Sequence, residues 1–278
     1  MGLSVSPALR YTKIKVKPII HKNSGLSLVE LLVVIALIAI LAALLLPGFS
    51  RAKNQAAKAT DLNNFHQVMI ALHAYTAENN EVLTWPNWDY GDVMPDGTAR
   101  AGWLYTPDPS ASDSNVFKAQ TGLLWNSLRA PKVFLCPMDQ PGEPCNSRHY
   151  GKVTERAQQL SSYIMNGAVI GFRSGYNSNS LPVKISQMLP GDCVYFEADE
   201  LDPWHFNDGS SWPSEGVPGI STRHSQGATL ASIDGSSSYV RDSDWLDEVN
   251  FTNKNRLWCY PKTENGGDPV YGHEILKK

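Results

Sequence analysis

The fold is decided by the stretch Lys22-Asn23-Ser24-Gly25-Leu26-Ser27-Leu28-Val29-Glu30 and by the unbroken apolar run that follows it, from Leu31 to Leu46. Leu26 to Leu46 comprises 21 residues, which as an α-helix extend about 31 Å, close to the ~30 Å thickness of a bilayer's hydrocarbon core. The segment is therefore long enough to cross a membrane once.

The residues before this segment carry only positive charge. Residues 1–25 contain no Asp or Glu, and their basic residues are Arg10, Lys13, Lys15, Lys17 and Lys22. Because positive flanks stay on the cytoplasmic side, the N-terminus is predicted in the cytoplasm and everything after Pro47 outside it. A secretory signal has a different layout, with its apolar core before the cleavage site.

Glu30 is the unusual residue of the apolar segment. A carboxylate inside a spanning helix costs about 2.5–3.5 kcal/mol on insertion scales, and such groups are usually paired or functional. The alternative is that Glu30 lies at the depth of the lipid headgroups, where it costs little.

The segment resembles the class III leader of type IV pilins and type II secretion pseudopilins. The resemblance implies cleavage after Gly25, N-methylation of the new N-terminal residue Leu26, and a carboxylate at Glu30 that neutralises the amino terminus of a neighbouring subunit. Most members have Phe at the first mature position, whereas this chain has Leu26. Removal of the leader would change the net charge from −3 to −8, which argues against nucleic-acid binding.

Apolar residues continue beyond Pro47 at steps of three and four, which predicts one helix from about Leu26 to Glu78 with a possible kink at Pro47. Together with the short strands given below, the resemblance implies the α+β fold class: a long pilin-like N-terminal transmembrane helix packed on a small antiparallel β-sheet domain with long loops. The predicted organisation is a removed leader at 1–25, a transmembrane or filament-core helix at 26–46, an amphipathic continuation at 47–80 and a periplasmic domain at 81–278.

Short strands are predicted in the domain, at Val133–Cys136, Ser162–Met165, Ala168–Phe172, Val183–Ile185 and Cys193–Ala198, with a helix at Gly122–Arg129. Asp234-Gly235 between Ala228–Ile233 and Ser236–Val240 predicts a hairpin, because both turn residues tolerate positive φ. His224, Asp234 and Gly235 also resemble the H-X9-DG ending of a large pseudopilin-like family. We interpret His224 as a structural histidine whose ring nitrogens tie the hairpin to a neighbouring loop.

Two further sites are expected in the domain. Cys136 and Cys145 flank a turn-rich loop and form the candidate disulfide, with free buried thiols as the alternative. Major pseudopilins hold Ca²⁺ in their C-terminal loops, and the carboxylates available here are Asp234, Asp242, Asp244 and Asp247, with a solvated acidic loop as the alternative.

The sequence lacks the residue constellations of common enzymes, so a structural role is predicted. By resemblance, the chain is an inner-membrane prepilin that polymerises with itself and other pseudopilins, served by a prepilin peptidase and N-methyltransferase, an assembly ATPase and an inner-membrane platform. The alternatives are an adhesive or motility pilin and a membrane-tethered binding domain. Tryptophans in loop-like surroundings would serve adhesion or fill the core: Trp85, Trp88, Trp103, Trp204, Trp212 and Trp245.

Overall fold

The structure is a computed structural model that describes residues 27–87, 98–108, 117–140, 156, 158–170, 183–215, 219–251, 253–261, 263, 264 and 266. The chain divides into two compact units, Met1–Phe49 and Ser50–Lys278. The chain forms one long N-terminal helix and a sheet of short strands, which confirms the predicted α+β class with a pilin-like layout.

Helix α1 runs from Leu28 to Glu78 and contains Pro47. In the first unit, its large apolar side chains from Leu28 to Leu46 are between 46% and 79% exposed. By length and composition, this helix is able to cross a membrane. The prediction of one helix through Pro47 to Glu78 is confirmed, while its predicted first residue, Leu26, lies outside the described residues.

In the second unit, α1 buries one stripe of its surface. The buried positions recur at three- and four-residue steps, as expected for the inward face of a surface helix: Ala57, Asp61, Asn64, Phe65, Val68, Met69, Ala71, Leu72 and Thr76. Most of this stripe is apolar and belongs to the main hydrophobic core. Three members are polar: Thr76 donates to the His73 carbonyl oxygen within α1, whereas Asp61 and Asn64 contact Tyr163 of the sheet, as described below.

The sheet has five strands in the order β3-β1-β2-β4-β5. The strands are β1 Tyr163–Asn166, β2 Cys193–Glu197, β3 Ser210–Ser211, β4 Gly227–Ser232 and β5 Ser237–Arg241. Strand β1 pairs antiparallel with β2, β2 with β4, and β4 with β5, as predicted. The two-residue edge strand β3 pairs parallel with β1, which makes the sheet mixed.

The register of the sheet places functional side chains on the face covered by α1. Tyr163 lies opposite Glu197 in neighbouring strands, and Tyr163 contacts the ring of Phe65 on α1 with centroids 4.3 Å apart. Because side chains alternate between faces along a strand, Phe196 points to the opposite face. There it packs on Trp245 of helix α3, Asp242–Val249, with ring centroids 4.9 Å apart.

The predicted hairpin is confirmed. Strands β4 and β5 pair from Gly227 opposite Arg241 to Ala231 opposite Ser237. Gly235 in the turn has φ of +85°, a conformation that favours glycine. The hairpin is held against α1 by hydrogen bonds, from Ser237 Oγ to the Leu62 carbonyl oxygen at 3.0 Å and between His73 Nε2 and the Ile233 carbonyl oxygen at 2.7 Å.

Strands β1 and β2 fall within the predicted segments Ser162–Met165 and Cys193–Ala198, to within one residue. Four other predictions of secondary structure are wrong, wholly or in part. The expected strand at Val133–Cys136 begins as a 3-10 helix, Pro131–Phe134, which has a proline at its start. The Val183–Ile185 segment forms one isolated bridge, between Lys184 and Val82.

The segment Ala168–Phe172 opens as the 3-10 helix Gly167–Val169, and residues 171 and 172 lie outside the described residues. Of the helix expected at Gly122–Arg129, one turn is α-helical, α2 Trp125–Leu128, and it ends at Arg129 in the left-handed conformation. These short segments have too few residues for periodicity to distinguish a strand from a turn of helix.

The described tryptophans mostly serve the core. Trp103 and Trp245 are completely buried, and Trp103 packs on Tyr195 with ring centroids 4.9 Å apart. Trp85 and Trp212 are half-buried and pack against the same core. Trp88 and the side chain of Trp204 lie outside the described part of the chain.

Candidate functional site

The start of α1 is closed by a reciprocal pair of hydrogen bonds between Ser27 and Glu30. The Ser27 backbone N–H donates to Glu30 Oε2 at 2.8 Å, and the Glu30 backbone N–H donates to Ser27 Oγ at 3.2 Å. This is a capping box, in which the two side chains satisfy amide groups that the first helical turn leaves without partners. The spacing Ser-x-x-Glu is a sequence signal for it that our reading of the chain overlooked.

The capping box fixes where the Glu30 carboxylate lies. It sits at the first turn of the helix, where the aligned peptide dipoles favour a negative charge. Gly25 and Leu26, the predicted processing positions, lie outside the described residues. The roles expected of Gly25, Leu26 and Glu30 in maturation and assembly therefore remain predictions.

A second set of polar side chains is enclosed in the globular unit around His224. Asp61 comes from α1, Cys136 from the segment after the 3-10 helix Pro131–Phe134, Glu197 from the end of β2, and His224 from the turn before β4. Each of the four residues is at most 2% exposed. Each residue places one side-chain atom near the others, a ring nitrogen of His224, the sulfur of Cys136 or a carboxylate oxygen, and these four atoms all lie within 4.8 Å of one another. We call these four residues the His224 cluster.

His224 Nε2 is the common contact of the His224 cluster. It lies 2.6 Å from Asp61 Oδ2, 3.3 Å from Glu197 Oε1 and 3.5 Å from Cys136 Sγ. The other ring nitrogen, Nδ1, makes no hydrogen bond with any described residue. Our prediction that both ring nitrogens tie the hairpin to a loop is therefore corrected: one nitrogen makes the contacts, and it joins the hairpin to α1 and β2 as well.

Each carboxylate of the cluster has one oxygen held by hydrogen bonds. Tyr163 Oη donates to Asp61 Oδ1 at 2.5 Å. Thr229 donates to Glu197 Oε2 from both its backbone N–H and its hydroxyl, each at 2.7 Å. The remaining oxygens, Asp61 Oδ2 and Glu197 Oε1, face His224.

Arginines border the cluster on one side. Arg223 places Nη1 2.6 Å from Asp139 Oδ1 and Nη2 3.5 Å from Glu197 Oε1. Arg156 donates to both oxygens of Asp139, at 2.7 and 2.9 Å. Buried arginine and carboxylate groups arranged in this way compensate each other's desolvation cost.

These contacts change the pKa values of the buried groups. Burial alone would lower the pKa of His224, but the adjoining Asp61 and Glu197 outweigh it and raise that pKa to about 9. Burial alone would raise the pKa of Asp139, but Arg223 and Arg156 hold it below its usual value. Burial raises the pKa of Cys136 strongly, and the nearby carboxylate of Glu197 adds to this effect.

The four aspartates proposed for calcium do not come together. Asp234 lies at the turn of the hairpin, where its Oδ1 accepts hydrogen bonds from the Ser236 N–H and hydroxyl at 2.9 and 2.6 Å. Asp242, Asp244 and Asp247 follow the far end of β5, and Asp244 pairs with Arg241 at 3.0 Å. A calcium ion needs six to eight oxygens at one point, so these residues do not form a single site.

Cys136 is buried and forms no disulfide with any described residue, and its Sγ accepts a hydrogen bond from the Met138 N–H at 3.3 Å. Its predicted disulfide partner, Cys145, lies outside the described residues, and the pairing stays a prediction. Cys193 and Cys259 are also buried and free.

Sequence reasoning found His224 but overlooked most of its partners. Cys136 is 88 residues away from His224 along the chain, and Asp61 and Glu197 belong to other elements. An aspartate on the buried, mostly apolar stripe of α1 was the available signal, because such residues are rarely buried without a partner.

Comparison with known proteins identifies the start of the chain. Residues 20–46 match the family model of the prokaryotic N-terminal methylation motif. No curated protein and no solved structure is significantly similar to the chain. The match supports a type IV pilin-like subunit, a class that is structural rather than enzymatic, and with the apolar start of α1 it is consistent with a single-pass membrane anchor.

Proposed function

We propose that this protein is a prepilin that is cleaved after Gly25, methylated on Leu26 and assembled through α1 into a short periplasmic pseudopilus of a type II secretion-like system. The observation that carries the proposal is the methylation motif at residues 20–46, which coincides with the apolar start of α1. Growth of such a filament would push exported protein toward an outer-membrane pore.

The exposed apolar surface of α1 supports polymerisation. From Leu28 to Leu46 the helix presents apolar side chains on every side, and none of this segment is buried within the chain itself. A helix that is apolar all round is stable in lipid or in the centre of a protein assembly. The same surface thus suits the subunit both before assembly, in the bilayer, and after it, against other subunits.

In the proposed filament, Glu30 determines the axial position of each subunit relative to its neighbour. Its carboxylate lies in the first turn of α1, close in sequence to the expected mature N-terminus at Leu26. In a filament, the carboxylate of one subunit would neutralise the amino terminus of its neighbour. A charge pair removed from water favours one axial position, because a shift would leave both charges unpaired.

The globular unit contributes lateral contacts and partner recognition. Its orientation outside the cytoplasm follows from the positive residues that precede α1. The partners of the subunit are other pseudopilins, the prepilin peptidase and N-methyltransferase, an assembly ATPase and its inner-membrane platform, and membrane lipid.

Mass spectrometry of the purified protein's N-terminal peptide tests maturation. We expect a peptide that begins at methylated Leu26. A product that retains residues 1–25 would overturn the proposal, and so would one that begins after Pro47.

Cell fractionation then tests the kind of assembly. A pseudopilus predicts subunits that crosslink to one another in the cell envelope and stay with the cells after shearing. Recovery in the sheared fraction would instead indicate a surface pilus of the adhesive or motility type. Absence of crosslinks between subunits would indicate a membrane-tethered binding domain.

A further inference from the structure

We propose that Asp61, Cys136, Glu197 and His224 bind one Zn²⁺ ion inside the globular unit. This site is independent of the proposed filament function. The ion would join four segments that are distant in sequence, namely α1, the segment around Cys136, the end of β2 and the turn before β4.

The donor set is suited to zinc. It offers one imidazole nitrogen, one thiol sulfur and two carboxylate oxygens, all types that Zn²⁺ binds in proteins, and four such ligands complete its tetrahedral shell. Calcium and magnesium prefer oxygen ligands throughout, and Cu⁺ prefers sulfur. All four residues are buried, and four protein ligands with no open position are typical of structural zinc.

The four donor atoms lie within 4.8 Å of one another, so they would close around an ion with shifts of about 1 Å. Zinc bonds of about 2.0–2.3 Å at tetrahedral angles place ligand atoms about 3.3–3.6 Å apart. His224 Nε2 lies 3.3 Å from Glu197 Oε1 and 3.5 Å from Cys136 Sγ. Asp61 Oδ2, at 2.6 Å from Nε2, would move outward by less than 1 Å.

The surroundings orient the ligands as expected for a metal site. Tyr163 holds one oxygen of Asp61, and Thr229 holds one oxygen of Glu197, so that the second oxygen of each faces the other donor atoms. The Met138 N–H donates to Cys136 Sγ, which helps to orient the sulfur. Such outer hydrogen bonds fix the direction of metal ligands and tune their basicity.

Protein hydrogen bonds alone leave the cluster incompletely satisfied. Asp61 is completely buried, and its Oδ2 makes no hydrogen bond of normal geometry with any described residue although Nε2 is 2.6 Å away. Arg223 Nη2 also lies 3.5 Å from Glu197 Oε1, and the Met138 N–H donates to Cys136 Sγ, so Asp61 Oδ2 is the acceptor that depends on Nε2 alone. A buried carboxylate oxygen without a good donor is costly, and a cation at the centre would satisfy all four groups together.

The local charge also favours a cation. Buried around the cluster are the carboxylates of Asp61, Asp139 and Glu197, and the guanidinium groups bordering them belong to Arg156 and Arg223. Glu200, near Arg223 at 3.9 Å, adds a further carboxylate. These carboxylates outnumber the two arginines, so a cation within the cluster, either protonated His224 or Zn²⁺, would offset the excess where it is concentrated.

Metal analysis of the full chain tests the proposal directly. The protein is purified in detergent, without chelators, from cells supplied with Zn²⁺, and we expect about one zinc per chain. From cells supplied with Co²⁺ instead, we expect a thiolate-to-cobalt charge-transfer band in the near-ultraviolet spectrum. Both measurements use the unmodified chain, so they do not depend on whether a variant folds.

Two cysteine variants locate the site. Cys136→Ala should abolish the charge-transfer band and reduce bound metal at least tenfold, whereas Cys259→Ala, which removes another buried free thiol, should change neither. Unmodified protein without zinc or a cobalt band would overturn the proposal and would indicate that protonated His224 alone offsets the carboxylates. A cobalt band that persists in Cys136→Ala would overturn it as well.

Discussion

Tyr163 Oη donates a 2.5 Å hydrogen bond to Asp61 Oδ1, although 102 residues separate the two in sequence. The same hydroxyl accepts a hydrogen bond from Asn64 Nδ2 at 3.1 Å. Through these contacts the inner strand β1 is attached to the polar part of the buried stripe of α1. Burial raises the pKa of Tyr163 far above its usual value, so the hydroxyl remains a donor.

Tyr163→Phe should destabilise the globular unit by about 1–3 kcal/mol, because it leaves Asp61 Oδ1 and Asn64 Nδ2 buried with one partner fewer. Urea denaturation of the full chain in detergent measures the change. Tyr239→Phe is the matched control, since its hydroxyl makes an exposed hydrogen bond to the Ser225 carbonyl oxygen. Equal losses in the two variants would contradict the importance of the Tyr163–Asp61 contact.

Leu72→Ala should destabilise the same unit by about 2–5 kcal/mol, because it removes a completely buried side chain of α1 and leaves a cavity. Ile70→Ala, two residues away and 58% exposed, should change stability by no more than about 0.5 kcal/mol. Urea midpoints of both variants test which face of α1 is packed. A larger effect at Ile70 than at Leu72 would show that this face is assigned wrongly.

Asp139 should make stability depend on pH in the acid range. Its pKa is held below the usual value by Arg223 and Arg156 in opposition to burial, so its contribution is complete above about pH 4 and is lost as the pH falls through the folded-state pKa. Asp139→Asn should cost about 3–5 kcal/mol near neutral pH, and the difference from the unmodified chain should narrow below about pH 4.

Urea denaturation from neutral pH down to about pH 3 measures this dependence. Asp247→Asn is the control, because Asp247 is exposed on α3 and its replacement should change stability by no more than about 0.5 kcal/mol. A gap between Asp139→Asn and the unmodified chain that stays constant across the acid range would contradict the assigned cause.

Glu30→Gln separates the charge of Glu30 from its part in the capping box. Glutamine at this position still accepts a hydrogen bond from the Ser27 N–H, so the helix start should be retained while assembly is lost with the charge. Crosslinking between subunits in the cell envelope measures incorporation, with the electrophoretic mobility of the processed form as the control for maturation.

Ser27→Ala provides the converse change. It removes the Oγ acceptor at 3.2 Å from the Glu30 N–H, which costs about 0.5–2 kcal/mol of helix stability, but it keeps the carboxylate. Processed Ser27→Ala should therefore still assemble. If Ser27→Ala loses incorporation and Glu30→Gln keeps it, the role of the charge in register is refuted.

Helices and strands that are specified by a pattern of neighbouring residues could be predicted from the sequence. Helix α1 follows from the unbroken apolar run up to Leu46 and from apolar residues at helical spacing beyond Pro47. The β4–β5 hairpin follows from Asp234-Gly235 between two β-compatible segments. The strand expected at Val133–Cys136 was not predictable in this way. There the Phe134 carbonyl oxygen accepts from Ser162 N–H and the Cys136 N–H donates to Ser162 Oγ, so contacts with a distant segment determine its conformation.

The sequence by itself determined the membrane-length apolar helix, the processing motif around Gly25 and the turn of the hairpin, because each depends on residues that are neighbours in the chain. The tertiary structure alone decided that Asp61, Cys136, Glu197 and His224 meet, and that Asp234 and Asp242 do not share a site. The physical reason is that donor atoms converge through the packing of α1 on the sheet and through strand register, and neither is encoded at any single position.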